Sequence, residues 1–178
     1  MTVVIDGVKA IDLEVRADVR GSFVECFRQS WLPTDHAALQ GNVSRSTPGV
    51  LRGMHFHRHQ WDYWFVVAGT AFVALADLRS GSPTERATMT MRLSVDEPRG
   101  LFIPSGVAHG FFAESETVLG YLLDRYFDGS DEFGFAWNDP SLGIDWPTAH
   151  PVLSDRDLAN PSLAEALRDP VPYAAIVG

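Results

Sequence analysis

Short apolar and β-branched runs, separated by glycine and proline, dominate the sequence from about residue 10 to residue 127. Strands of this length, repeated roughly every 8–12 residues, are typical of an antiparallel sandwich or barrel and not of alternating strands and helices. Turn formers at 68–70 and 79–83 indicate hairpins. The pattern predicts strands in the runs IDLEV, GSFVECF, GVLRGMHFH, YWFVVAG, TAFVALADL, ATMTMRLS, GLFIP, AHGFFAES and TVLGYLL.

The remaining segments predict little further regular structure. Short helices are expected at 31–39 and at 161–168, where Pro161 stands near the first turn. Residues 128–147 are rich in turn formers and are expected to form an ordered loop. The sequence has no repeat and no linker, so we predict one domain over 1–178. Its expected fold is all-β, one antiparallel domain with short peripheral helices, an architectural group to which cupin-type jelly-roll barrels belong.

Composition excludes several classes of partner. The formal net charge of −9 and a pI near 5.0 oppose binding to nucleic acid. No apolar stretch approaches the roughly 20 residues that cross a bilayer, so no membrane association is expected. Cys26 is the only cysteine, and the first residues lack the pattern of a signal peptide. A reduced, cytoplasmic protein is therefore expected.

The stretch RGMHFHRHQWDYW, residues 52–64, carries the most distinctive chemistry. In a strand, His55, His57 and His59 would share one face, and Asp62 follows three residues later. Three imidazoles are costly in an apolar core unless each finds a hydrogen-bond partner. They are therefore metal ligands, catalytic bases, or polar side chains on an exposed strand face or loop.

A second histidine motif narrows these alternatives. GLFIPSGVAHGFF, residues 100–112, together with the first stretch resembles the two sequence motifs of the cupin superfamily, with aspartate in the usual glutamate position. Neighbouring strands of a small barrel would bring such side chains to one interior spot, where neutral imidazoles and a carboxylate bind a divalent metal. The metal ligands implied by this resemblance are His55, His57, Asp62 and His109.

A narrower resemblance runs through about four fifths of the chain. The blocks are RGSFVECFR (20–28), QGNVSRSTPGVLRGMH (40–55), ALADLRSGSPT (74–84), IPSGVAHGF (103–111), WNDPSLGIDWP (137–147) and LSDRD (153–157). In this order they resemble the dTDP-4-dehydrorhamnose 3,5-epimerase family. The resemblance implies a cupin-like, metal-independent homodimer without a cofactor. Its substrate would be a dTDP-4-keto-6-deoxyhexose.

The resemblance also implies three catalytic residues. A ketone at C4 acidifies the hydrogens on C3 and C5, so a base removes one proton and an acid returns one to the opposite face. His55 in RGMH matches the base, Asp157 matches the carboxylate that orients it, and Tyr121 matches the proton donor. Simpler structural roles remain open: a barrel hydrogen bond for His55, a half-buried strand position for Tyr121 and a helix cap for Asp157.

Substrate-binding positions follow from the same blocks. Arg52 and His109 match positions that in the family approach the substrate or its diphosphate, a group that suits the planar fork of arginine. In the family, Arg20 reaches across the dimer interface, although a surface ion pair is an alternative for this residue. Phe127 stands where the family has a tyrosine beside the thymine. The expected substrate-binding residues are Arg20, Phe23, Glu25, Gln40, Asn42, Arg52, His57, His109 and Phe127.

Two positions depart from the family pattern. His57 replaces a glutamine, and Asp62 stands at about the position of a lysine near the ketone. A carboxylate there would oppose negative charge on O4 by at least about 1 kcal/mol. Two hypotheses therefore remain. The chain is an epimerase acting at C3, C5 or both, or it is a cupin that binds metal with a changed reaction or binds a sugar nucleotide without turnover.

Overall fold

The structure, a computed structural model, describes residues 4–173, and two five-stranded antiparallel sheets form most of it. In chain order the strands are β1 (Lys9–Asp12), β2 (Val15–Asp18), β3 (Gly21–Val24), β4 (Gln40–Ser46), β5 (Leu51–Phe56), β6 (Asp62–Ala68), β7 (Thr70–Asp77), β8 (Arg79–Ser80), β9 (Thr88–Ser94), β10 (Arg99–Ile103), β11 (Val107–Ala113), β12 (Thr117–Leu123), β13 (Phe133–Gly134) and β14 (Val171–Pro172). The first sheet has the order β1-β10-β6-β12-β4, and the second has the order β13-β5-β11-β7-β9. The predicted all-β jelly roll is confirmed.

The smaller sheets and one edge strand add to the predicted pattern. β2 pairs with β3 as a separate hairpin, and β14 pairs in parallel with β8. β4, at the edge of the first sheet, was not predicted as a strand because its sequence QGNVSRS is polar. Its residues alternate between half-buried and exposed positions, so the strand is recognisable from its alternation and not from its hydrophobicity.

Short helices lie at the periphery. They are α1 (Asp155–Leu158) and α2 (Leu163–Ala166), and single 3₁₀ turns cover Gln29–Trp31 and Gly129–Asp131. α2 confirms the helix expected near 161–168, but it begins after a Ser162 N-cap that forms a capping box with Glu165. Within the segment read as loop, the structure adds the second 3₁₀ turn and β13.

The helix predicted at 31–39 is wrong. Leu32 has an extended backbone, which the following Pro33 favours, so the 3₁₀ turn ends there. The Gln29 side chain then donates to the carbonyl of His36 and accepts from the amide of Ala38. These bonds satisfy the loop backbone without a helix.

Apolar side chains fill one end of the space between the sheets. Leu75 and Leu93 from the second sheet are fully buried against Leu101 from the first. Burying each such side chain contributes roughly 1.5–3 kcal/mol relative to exposure. This cluster continues to Trp64 and Phe111, where the apolar core meets a polar cavity. Within residues 4–173, no helix has the length and hydropathy that a membrane crossing requires.

A pair of glycines tests how tightly the hairpin between β6 and β7 packs. Gly69 and Gly81 both have positive φ, at 78° and 83°, so alanine costs about 1–2 kcal/mol at either position. A Cβ at Gly69 would lie 2.1 Å from the carbonyl oxygen of Glu116, whereas a Cβ at Gly81 meets nothing within 4 Å. We expect Gly69→Ala to lower the free energy of unfolding well beyond Gly81→Ala in urea titrations. Equal losses would contradict the close packing at Gly69.

Candidate active site

A cavity of about 280 Å³ lies between the two large sheets, close to the lower bound of about 300 Å³ for small-molecule pockets. The first sheet supplies side chains from β4, β6 and β12, and the second supplies them from β5 and β11. Most of the expected site residues meet here. Those that line the cavity are Asn42, Arg52, His55, His57, Asp62, His109, Tyr121, Phe127 and Asp157.

His55 on β5 is hydrogen-bonded to Asp157 of α1. The distance from His55 Nε2 to Asp157 Oδ1 is 2.6 Å, and both groups line the cavity. Because the carboxylate accepts, Nε2 carries the hydrogen and Nδ1 keeps the lone pair. Within residues 4–173, Nδ1 has no hydrogen-bond partner. The carboxylate of Asp157 thus orients the ring through Nε2, and Nδ1 is the nitrogen that can accept a proton.

Asp157 does not cap its helix. Ser154 is the N-cap, and its hydroxyl accepts from the amide of Asp157, which leaves the carboxylate free to bond His55. Burial alone would raise the pKa of Asp157. Its bonds with His55, Ser154 and the backbone of Gly53 outweigh burial, so the pKa lies below the ordinary value and the group stays charged at neutral pH.

Tyr121 lies on the opposite wall from His55. It is part of β12 in the first sheet, paired with Trp64 on β6 and Asn42 on β4, whereas His55 belongs to the second sheet. Burial, and then the negative charge of Asp62, raises the pKa of Tyr121 above its ordinary value, against a lowering hydrogen bond with Asn42. A neutral phenol therefore faces the cavity at neutral pH.

His57, Asp62 and His109 form a second group, separate from the pair of His55 and Asp157. One ligand-type atom from each residue lies within 4.8 Å of the others. The Nε2 atoms of His57 and His109 are each 3.9 Å from a carboxylate oxygen of Asp62. The set implied by the cupin motifs is therefore divided, because His55 is bonded to Asp157 and three of the four residues converge.

The Asp62 carboxylate is buried and held by neutral donors. Gln60 Nε2 donates to Oδ1 at 2.9 Å, and Trp64 Nε1 donates to Oδ2 at 3.0 Å. Within residues 4–173, no lysine or arginine nitrogen comes within 4.0 Å of this carboxylate. In the described part of the chain, Asp62 thus faces the cavity without a lysine or arginine partner.

The mouth of the cavity is lined by exposed side chains. Arg52 is exposed, and its guanidinium donates to the Ser46 hydroxyl at 3.0 Å. Gln40 joins two of the expected binding residues, since it donates to Asn42 Oδ1 and accepts from the amide of Phe127. Gln40 itself is not among the residues that line the cavity.

The hairpin of β2 and β3 stands away from its own chain's cavity. Arg20, Phe23 and Glu25 do not line that cavity. Arg20 forms an exposed ion pair with Asp18 at 2.6 Å, and Glu25 pairs with Arg28 at 2.9 Å. Within one chain, Arg20 therefore has the surface ion pair that was its alternative role.

Nine of the residues that line the cavity escaped the sequence reasoning, among them Gln60, Trp64, Glu132 and Arg156. Gln60 and Trp64 hold Asp62, and Trp64 could have been found because it lies two residues after Asp62 on the same face of β6. Arg156 and Glu132 form an ion pair at the rim. Glu132 comes from the segment that was predicted to be a loop, and no periodicity of polar and apolar residues there predicts that its side chain reaches the cavity.

Comparisons with known proteins match most of the chain. A family model described as dTDP-4-dehydrorhamnose 3,5-epimerase matches residues 2–165. A dTDP-4-dehydrorhamnose 3,5-epimerase of Neisseria gonorrhoeae is 37% identical over 166 residues, which are 89% of this chain and 51% of that protein. The chain thus spans about half the length of this relative. A dTDP-4-dehydrorhamnose 3-epimerase of Streptomyces niveus is 39% identical over 91% of this chain and 82% of its own.

A solved structure agrees with the fold. NovW of Streptomyces spheroides, a 4-keto-6-deoxy sugar epimerase of the novobiocin gene cluster, superposes with a TM-score of 0.90. It is 36% identical in sequence, and the match covers 99% of this chain and 93% of that chain. At this similarity the jelly-roll fold and the order of its elements are shared.

The buried His109 predicts a pH dependence of stability. Burial lowers its pKa to about 4, partly offset by Asp62, so unfolded chains bind an extra proton between about pH 6.5 and pH 4. Stability is therefore complete above pH 6.5 and falls as the pH drops toward 4, by up to about 3 kcal/mol.

We expect His109→Gln to flatten this part of the profile of free energy of unfolding against pH. The matched control is His59→Gln, at an exposed histidine, which should keep the wild-type profile. Denaturant titrations between pH 7.5 and pH 4 measure both. Parallel profiles for wild type and His109→Gln would show that this imidazole is not the group responsible.

Proposed function

This chain belongs to the dTDP-4-dehydrorhamnose 3,5-epimerase family, and we propose that it epimerises a dTDP-4-keto-6-deoxyhexose at C3, C5 or both. The observation that carries this proposal is the position of the paired His55 and Asp157 on one wall of the cavity, with Tyr121 on the other. Inversion at carbon needs a base and an acid on opposite faces of the sugar ring, and these two walls supply them.

His55 acts as the base in the proposed reaction. Its Nδ1 takes a proton from the carbon next to the ketone, and the electron pair of the C–H bond moves into an enolate. Asp157 accepts the Nε2 hydrogen, keeps the ring in the reactive tautomer and stabilises the imidazolium that forms. The low pKa of Asp157 supports this role, because the carboxylate stays ionised beside the cation.

Tyr121 returns the proton from the opposite face. Its raised pKa keeps the phenol protonated at neutral pH, which a proton donor requires. Asn42, its partner on β4, lies beside it in the first sheet and also lines the cavity. In the proposed reaction, the carbon thus loses a proton to His55 on the second sheet and gains one from Tyr121 on the first sheet.

The nucleotide lies at the mouth in this proposal. Arg52 offers a guanidinium fork to the diphosphate, and Phe127 offers a ring to the thymine. His57 and His109 lie deeper and face the sugar. This order puts the exposed cation against the most strongly charged part of the substrate.

A homodimer completes the binding site in the proposal. The hairpin of β2 and β3 presents exposed apolar side chains, with Val19 fully exposed and Phe23 at 64%. Such side chains favour a partner surface. The hairpin would place Arg20, Phe23 and Glu25 at the cavity mouth of the partner subunit, where Phe23 would contact the thymine ring of the nucleotide.

We also propose that the protein works in the cytoplasm. Cys26 is a free thiol, which a reducing compartment preserves.

Hydrogen exchange tests the catalytic assignment directly. We expect His55→Asn and Asp157→Asn to slow deuterium incorporation from D₂O into the 4-keto sugar by roughly 10²–10⁴-fold, since each disables the base. Tyr121→Phe should retain exchange and lose inversion. Proton NMR reports which carbon exchanges.

Two controls accompany this experiment. His59→Asn and Tyr126→Phe alter exposed residues outside the cavity and should exchange at the wild-type rate. Unchanged exchange in His55→Asn rejects this residue as the base.

The hairpin assignment has a separate test. We expect Phe23→Ala to weaken binding of thymidine diphosphate by roughly 5- to 150-fold, the effect of losing one stacked aromatic ring. Val95→Ala, which removes an exposed apolar side chain elsewhere, is the control. Titration calorimetry measures the affinity and sedimentation measures the oligomer. A monomer with full affinity would contradict the hairpin's role.

A further inference from the structure

Three hydrogen-bond acceptors converge at one point of the cavity. His57 Nδ1 donates its hydrogen to the carbonyl of Asp131 at 2.8 Å, and His109 Nδ1 donates to the carbonyl of Val107 at 3.1 Å. In its neutral form, each ring therefore keeps its lone pair on Nε2. Both Nε2 atoms lie 3.9 Å from a carboxylate oxygen of Asp62, so the two lone pairs and the negative charge face one another.

We propose that His57, Asp62 and His109 bind a divalent first-row transition-metal ion. Two imidazole nitrogens and one carboxylate oxygen are a ligand set that such ions favour, and three protein ligands leave positions open toward the cavity. The ion supplies the positive charge that the converging acceptors lack. It also neutralises Asp62, which has no lysine or arginine nitrogen within 4.0 Å in residues 4–173.

The surroundings hold each ligand in the orientation that metal binding needs. Backbone carbonyls fix both histidine tautomers, and Gln60 and Trp64 each occupy one carboxylate oxygen of Asp62. Such outer contacts accompany metal ligands in proteins. Bonds of about 2.0–2.2 Å require ligand atoms about 3–3.5 Å apart, so binding draws the three groups together by roughly 0.5–1.5 Å.

The ion and the catalytic base occupy different residues. His55 is already bonded to Asp157, so it is not needed as a ligand and remains free to take a proton. If the chain is the epimerase proposed above, on which this step rests, the ion binds the keto oxygen O4 and stabilises the enolate. It then supplies the cationic charge that Asp62 itself cannot give.

Metal binding is tested on the full-length protein after its purification tag has been removed and it has been treated with a chelator. We expect one Zn²⁺ or Co²⁺ per chain by calorimetry and elemental analysis, with the visible spectrum of Co²⁺ reporting nitrogen and oxygen ligation. Asp62→Asn and His57→Gln should weaken binding by about 100-fold or more, whereas the control His59→Gln should not. Circular dichroism checks that each variant is folded. Absence of stoichiometric binding, or equal binding in Asp62→Asn, would overturn the site.

A second measurement separates this inference from the proposed function. Deuterium exchange is compared between chelated and Zn²⁺-loaded protein. Faster exchange in the loaded form supports the role at O4, and equal exchange in both forms overturns that role while leaving the epimerase proposal intact. Stoichiometric metal without exchange in either form overturns the epimerase proposal and retains the metal site.

Discussion

The hydrogen bond between His55 and Asp157 is the constraint on which the proposed chemistry depends. It joins a strand of the second sheet to a four-residue helix 102 positions later, and it decides which ring nitrogen carries the hydrogen. A charge-assisted bond of this kind is roughly twice as strong as a neutral one, so it holds the helix against the barrel as well as the ring in its tautomer. The same contact therefore stabilises the position of α1 and, in the proposed mechanism, prepares His55 to act as the base.

Burial and charge differ between the mouth of the cavity and its interior. Arg52 is exposed at the mouth, whereas Asp62 and Asp157 are about 95% buried inside. A ligand with a diphosphate at one end and a neutral sugar at the other is therefore favoured in one orientation only, with the sugar inside. Because the net charge is −9, the proposed function assigns attraction of the substrate to this local arrangement and not to the overall field.

Much of the fold and part of the site could be predicted from the sequence. Alternating strand patterns located most of β5 to β12, and the motif blocks selected His55, Tyr121 and Asp157, which meet in one cavity. Their catalytic roles remain predictions. β4 was missed because its sequence is polar, and the wrong helix at 31–39 arose because a glutamine side chain stabilises a loop there.

The division of the histidines could not be predicted, for a physical reason. β5 ends at Phe56, so strand alternation no longer governs His57, and its ring is oriented by the carbonyl of Asp131 instead. That partner lies 74 positions away in a segment without periodicity. The neighbouring amides of Arg58 and His59 bond to the same aspartate, which makes the turn a single unit.

The late position of Asp157 separates the framework of the cavity from one part of the proposed chemistry. All strands of the two large sheets end by Gly134, whereas α1 begins at Asp155. A chain that ended after Gly134 would contain His55 and the strands of both walls but would lack the carboxylate that holds the imidazole. In the proposed mechanism, proton abstraction therefore depends on docking of the C-terminal segment against the barrel.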